Sequence, residues 1–114
     1  MATTVLIASG NGVAIGATGT ELAQLDVAQY RSVRITVANW AFSPSSIQVT
    51  ITHIMNPGTP ASSGIDGLDS YILGPDENTS KSYEVPGETI SVNVRPTNDS
   101  AGCEAFFTIY GRPD

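Results

Sequence analysis

The sequence predicts an all-β fold: a single-domain, jelly-roll-like β-sandwich of eight or nine antiparallel strands. Three observations carry that reading. The first is alternation with period two. Val33, Ile35 and Val37 fall on one face and Arg34, Thr36 and Ala38 on the other; after Ser43-Pro44-Ser45-Ser46, Ile47, Val49 and Ile51 alternate with Gln48, Thr50 and Thr52. β-Branched residues at the inward positions suit a pleated, half-buried strand. The second is the recurrence of Gly, Pro, Asn and Asp clusters every roughly 8 to 12 residues, the rhythm of a sandwich or small barrel. The third is that no window places apolar residues at i, i+3, i+4 and i+7 with caps to match, so no regular helix is expected.

Length and composition narrow the function classes. A chain of 114 residues is one domain, and such a chain buries roughly two-thirds of its unfolded surface without staples. Charged residues make up 14% of it, against about 25% in an average globular chain. The surface is therefore largely neutral Ser, Thr, Asn and Gly, common on proteins that pack against copies of themselves. The net charge of −6 leaves no basic stripe to release phosphate counterions, which argues against nucleic acid and against an anionic membrane surface. No apolar run approaches membrane-spanning length, so no membrane insertion is expected. Met1 to Tyr30 contains no Lys or Arg, hence no positively charged region ahead of Val5-Leu6-Ile7 and no recognisable signal peptide. Cys103, the single cysteine, has no intrachain partner. It reads as a small buried hydrophobe at the start of the last strand, with an intermolecular bridge as the rival.

In chain order, Thr3 to Ala8 reads as a first strand closed by Ser9-Gly10-Asn11-Gly12, with Asn-Gly suited to a type I′ turn and Val13-Ala14-Ile15 returning. Residues 1–19 thus form an N-terminal arm or edge hairpin, and residues 20–114 the sandwich domain. Glu21 to Leu25 is a short strand, after which Asp26 caps a single helical turn that lays Tyr30 over the core. The two alternating runs between Tyr30 and His53 read as antiparallel neighbours in the middle of one sheet. Asn56 to Gly64, with two prolines and two glycines, reads as a long crossover between sheets. Four more strands follow: Leu68–Leu73, Thr79–Val85, Thr89–Arg95 and Cys103–Tyr110. Breaks at Gly74–Asn78, at Pro86-Gly87 (a type II turn) and at Pro96–Gly102 separate them.

Three stretches carry a resemblance: Asp26-Val27-Ala28-Gln29-Tyr30-Arg31-Ser32-Val33-Arg34-Ile35, Tyr83-Glu84-Val85-Pro86-Gly87, and Ile109-Tyr110-Gly111-Arg112. They look like segments of small bacterial β-sandwich proteins. In size and strand count the chain resembles the jelly-roll subunits of bacterial spore appendages, which assemble by lending an N-terminal arm to a neighbour. That resemblance implies a surface location and copies of the same chain as partners. Appendage subunits carry cross-linking cysteines in the arm; this arm has none, so the resemblance does not extend to covalent linkage.

Residues with catalytic potential are sparse. Nucleophilic catalysis wants a Ser or Cys with a His and an orienting acid, and the one histidine, His53, continues the inward phase of Ile47, Val49 and Ile51. Acids lie mainly in turns, without spacing that makes a glycosidase pair. Asp66-Gly67-Leu68-Asp69 and Asp76-Glu77-Asn78 lack EF-hand spacing and read as solvated turn residues, not as a calcium site. No enzyme activity, cofactor or metal is expected. Asn78-Thr79-Ser80 and Asn98-Asp99-Ser100 match the glycosylation acceptor pattern, relevant only in a eukaryotic secretory pathway.

The leading expectation is therefore a non-enzymatic structural subunit that self-assembles, as an oligomer or extracellular filament, by strand addition through its arm. Its interface would comprise Val5, Leu6, Ile7, Val13 and Ile15 with Phe106 and Tyr110, which stand on the outer face of the last strand if Ala105, Phe107 and Ile109 face the core. The location would be extracellular or on a cell or spore surface. A small phage or capsid-associated jelly roll would assemble by the same physics. The alternative is a carbohydrate-binding module in which Trp40 and Phe42, with His53 nearby, offer a platform to a glycan ring. Against it stands the tendency of Trp40 to close one end of the core.

Overall fold

Two four-stranded antiparallel sheets face each other in the computed structural model, which describes residues 4–54, 65–84 and 89–113. The strands are β1 (Val5–Ile15), β2 (Thr20–Asp26), β3 (Ser32–Asn39), β4 (Ile47–Ile54), β5 (Ile65–Leu73), β6 (Asn78–Glu84), β7 (Thr89–Pro96) and β8 (Cys103–Arg112). One sheet has the order β1-β8-β3-β6 and the other β2-β7-β4-β5. Only β4 and β5 are consecutive neighbours; the other connections change sheet, the winding of a jelly roll. The fold is the one expected, with eight strands among the described residues.

The core lies between the sheets and follows the alternation. Val33, Ile35 and Val37 on β3 and Ile109, Phe107 and Ala105 on β8 meet Ile47, Val49 and Ile51 on β4 and Ile90, Val92 and Val94 on β7. Ile35, Ile47 and Ile51 are wholly buried, each 0% exposed. Burying a side chain of this size contributes about 1.5–3 kcal/mol. Cys103 is buried at the start of β8 and Tyr30 packs over the core, both as expected. The carbonyl of Arg112 accepts from the Arg31 N–H at 2.8 Å, fixing the approach to β3.

Three expectations are corrected. First, β3 and β4 are not neighbours; they occupy the centres of opposite sheets. Inward alternation looks the same from either side of a sandwich, so it marks strands without assigning them to a sheet. A corner is built where they part. The buried Asn39 amide donates to the carbonyls of Ser45 and Leu73, each at 3.1 Å, while the Ser43 hydroxyl accepts from the Glu104 N–H at 3.2 Å. Second, Asn11-Gly12 is not a hairpin turn. β1 runs on through it, and the pairing steps from Gly10↔Phe107 to Val13↔Ala105. Gly12, at φ +66°, spends its conformational freedom on a bulge, because β8 is long enough to pair with both halves of β1. Third, Asp26 makes the expected capping bond, but onto a tight turn and not a helical one. Its Oδ1 accepts from the Ala28 N–H at 3.1 Å, and the Tyr30 N–H closes a turn onto the Val27 carbonyl at 3.0 Å. A short polar side chain bonding two residues ahead favours that turn over a helix. The expected crossover at Asn56–Gly64 and the turn at Pro86-Gly87 lie outside the described residues.

Candidate interface and binding surfaces

The outer face of the β1-β8-β3-β6 sheet is a grid fixed by register. Leu6, Tyr110, Arg34 and Ser82 form one row, and Ser9, Thr108, Thr36 and Ser80 the next. Beyond them Phe106 pairs with Ala38, which pairs on its other side with Asn78. Of the residues expected at an interface, Val5 and Leu6 are exposed (41% and 52%), as is Tyr110 (37%). Ile7 and Val13 are half-buried against the core of their own chain, and Ile15 is buried in it. Phe106 and Tyr110 share the outer face but stand four positions apart, about 13 Å along the strand. Phe106 lines a mainly apolar hollow of about 310 Å³ with Gly10, Asn11 and Ala38; Tyr110 lines a separate one.

Trp40 and Phe42 come together at the β3–β4 corner with ring centroids 5.4 Å apart and planes at 69°. Such edge-to-face packing is a favourable aromatic geometry. Trp40 is half-buried, and Phe42 is 78% exposed. His53 is buried toward the far end of β4 and is not part of this pair.

The most connected polar group was not legible in the sequence. Asp69 on β5 and Lys81 and Tyr83 on β6 sit on edge strands of opposite sheets, and they bond across the open side of the sandwich. Asp69 Oδ2 accepts from the Tyr83 hydroxyl at 2.7 Å and from Lys81 Nζ at 3.2 Å, while its Oδ1 accepts from the Ser70 N–H at 2.8 Å. Lys81 Nζ also lies 4.9 Å from the centre of the Tyr71 ring, a cation–π contact. The Tyr83 bond, with help from Lys81 and Ser70, holds the Asp69 carboxyl below the usual carboxylate range, although burial pulls the other way. Burial and the Asp69 charge push the Tyr71 phenol up to about 12, and burial with the Asp69 bond pushes Tyr83 up as well. The carboxylate is thus occupied by protein donors. It clamps two edges and is not poised for acid–base work. Alternating Lys81/Tyr83 and Asp69/Tyr71 hint at same-phase polar pairs, but nothing in the sequence tells which edges face each other.

Ile72, 62% exposed on β5, is a further apolar surface residue that the sequence reading did not single out. Across the outer face of the other sheet lies a polar cleft of about 570 Å³ that includes Glu21, Gln48, Asn93 and Arg95.

No known family profile matches this chain, and no curated protein matches it. Solved structures do. A protein of the Bacillus endospore appendages, described as a novel family of disulfide-linked pili, is similar over 97% of this chain and 86% of its own, with TM-score 0.55 and 14% identity. The crystal structure of PirA is similar over 97% of this chain and 91% of its own, with TM-score 0.56 and 13% identity. At such identities the likeness is one of fold: the resemblance to spore-appendage-type jelly-roll subunits holds for the sandwich itself.

Proposed function

We propose that this protein is a non-enzymatic structural subunit that self-assembles on a bacterial cell or spore surface, its N-terminal segment adding a strand to a neighbouring copy. The observation that carries this reading is the character of β1. It lies at a sheet edge, it contains no charged residue or proline, and its register against β8 breaks twice, between Leu6 and Ala8 and between Gly10 and Val13. Edge strands of soluble proteins are normally blunted by charge or proline, because their free N–H and C=O groups template further pairing. β1 is joined to the opposite sheet through a short turn, closed by the Gly19 N–H on the Gly16 carbonyl at 3.0 Å. Opening that turn would let β1 take the same place against β8 of another copy, a strand exchange that needs no new contact chemistry. Seventeen extended residues, 2–18, reach about 55 Å, enough to cross a neighbouring domain. The fold shared with a pilus protein supports the reading. Cys103 is buried, so the linkage proposed here is non-covalent.

Cross-linking tests it directly. Ser9 and Thr108 face each other across β1 and β8, and such pairs have Cα atoms about 4.5–5.5 Å apart, within disulfide range. Ser9→Cys and Thr108→Cys chains are refolded together and oxidised. Strand exchange yields an interchain disulfide between the two variants. If they stay uncross-linked and light scattering finds monomer at every concentration, the reading fails.

A second reading rests on the exposure of Phe42 beside Trp40. An open aromatic face held by a neighbouring ring suits a sugar ring, and a monomer that binds a glycan array and loses that binding in Phe42→Ala would favour a carbohydrate-binding module.

A further inference from the structure

We propose that Arg34 and Arg112 form a binding site for a dianionic tetrahedral oxyanion, a sulfate or phosphate group, on the outer face of the β1-β8-β3-β6 sheet. Arg34 lies opposite Tyr110 and Arg112 opposite Ser32. The two arginines are therefore diagonal neighbours on adjacent strands, about 7–8 Å apart at the backbone and within reach of one another's long side chains. Together with Thr4, Ser32, Ser82 and Tyr110 they line a hollow of about 180 Å³. The donors suit a small oxyanion: two guanidinium forks and four hydroxyls, with no carboxylate in the lining.

Two features distinguish this from an ordinary solvated surface. The chain has five Lys and Arg residues against eleven acids, yet two of the five are diagonal neighbours on one sheet face and line the same hollow. Among the described residues the Lys and Arg ion pairs are Lys81–Asp69 and Arg95–Asp99; neither Arg34 nor Arg112 forms an ion pair with a carboxylate of those residues. Like charges held together cost free energy unless something of opposite sign joins them. Arg34 is also pre-oriented. Its Nε donates to Ser80 Oγ at 2.9 Å, and the same oxygen takes the Thr36 hydroxyl at 2.8 Å. That bond fixes the plane of the guanidinium while its two terminal nitrogens keep their hydrogens free. Glu84, opposite Ser32, forms no pair with either arginine. Two neighbouring positive charges match a dianion better than a carboxylate, and arginine is the residue suited to forked recognition of phosphate-like groups.

The test is titration of the intact protein with sodium sulfate, sodium phosphate and, for comparison, sodium acetate, at constant ionic strength set with sodium chloride so that screening does not change. Amide NMR shifts report the site. Saturable shifts centred on Ser32, Arg34 and Tyr110 are expected with sulfate and phosphate, at least tenfold tighter than with acetate. Arg34→Gln and Arg112→Gln should each weaken sulfate binding roughly tenfold or more, the range of one charge-assisted bond. Glu84→Gln should tighten it. A sugar sulfate separates the sources: binding tighter than inorganic sulfate assigns the group to a larger ligand, and equal binding assigns the free ion. No saturable shift with either dianion, or an Arg34→Gln/Arg112→Gln double variant that folds and binds sulfate as the parent does, overturns the proposal.

Discussion

Replacing Tyr83 by Phe removes one oxygen from the clamp between β5 and β6 and leaves the ring in place. The lost bond, 2.7 Å from the hydroxyl to Asp69 Oδ2, runs to a charged acceptor, a class worth about 1.5–3 kcal/mol. The Asp69 side chain keeps 23% of its surface in water, which points to the lower end, about 1.5 kcal/mol. For 114 residues, an unfolding entropy near 2.1 cal/mol/K per residue sums to roughly 0.24 kcal/mol/K, so Tm should fall by about 6 °C. The sign of the pH dependence follows from Asp69, whose folded-state carboxyl lies below its ordinary value of 3.8, chiefly through Tyr83. A depressed carboxyl contributes stability in full above its unfolded value and loses it as pH falls through the folded one. Parent and variant should thus differ by the full amount at pH 7 and converge in acid below about pH 3.8. Urea unfolding followed by Trp40 fluorescence and far-ultraviolet circular dichroism gives both numbers, with an unchanged slope confirming that only stability moved. A deficit under about 0.3 kcal/mol at pH 7, well below the worth of a charge-assisted bond, would refute the clamp. So would a deficit that persists undiminished in acid.

Further outcomes follow from the packing. Gly111→Ala would set a Cβ 2.5 Å from Tyr30 Cδ1 and 2.7 Å from Ile7 Cδ1; overpacking of this kind costs about 1–3 kcal/mol, measurable as a lower urea midpoint. Asn39→Ala strands the Ser45 and Leu73 carbonyls and should cost about 2–4 kcal/mol, one to two buried hydrogen bonds with their desolvation, read by the same assay. Cys103, 1% exposed, should react with a thiol reagent only at the rate of unfolding, and stoichiometric labelling within seconds under native conditions would contradict its burial.

What the sequence revealed and what it concealed divide along a physical line. The inward faces of β3, β4 and β8 were legible because alternation is a local property: Val33-Ile35-Val37 and Ile47-Val49-Ile51 announce a buried face whatever they pack against. Pairing is not local. The same six residues gave no sign that β3 and β4 belong to opposite sheets, since the Asn39 amide that parts them bonds to Leu73, 34 positions away. Asn11-Gly12 misled for a related reason. Its dihedral preference was read correctly, but whether positive φ makes a turn or a bulge depends on β8, nearly a hundred residues later. The outward positions Tyr110 and Phe106 followed from phase alone, whereas the company they keep, Arg34 and Arg112 for one and Gly10 and Ala38 for the other, follows from strand order.

The placement of β8 has a consequence for biosynthesis. It is the last of the eight strands to leave the ribosome, yet it lies between β1 and β3 and supplies β1 with its pairing partner in that sheet. Until Cys103 to Arg112 emerges, β3 has β6 alone and β1 has no sheet partner. Strand pairing across the full length of a chain is slow, because loop closure must come before the contacts that reward it. The sandwich therefore cannot close before β8 has left the ribosome. Through that interval β1, uncharged and without proline, is open to whichever β8 arrives first, its own or that of another copy made nearby.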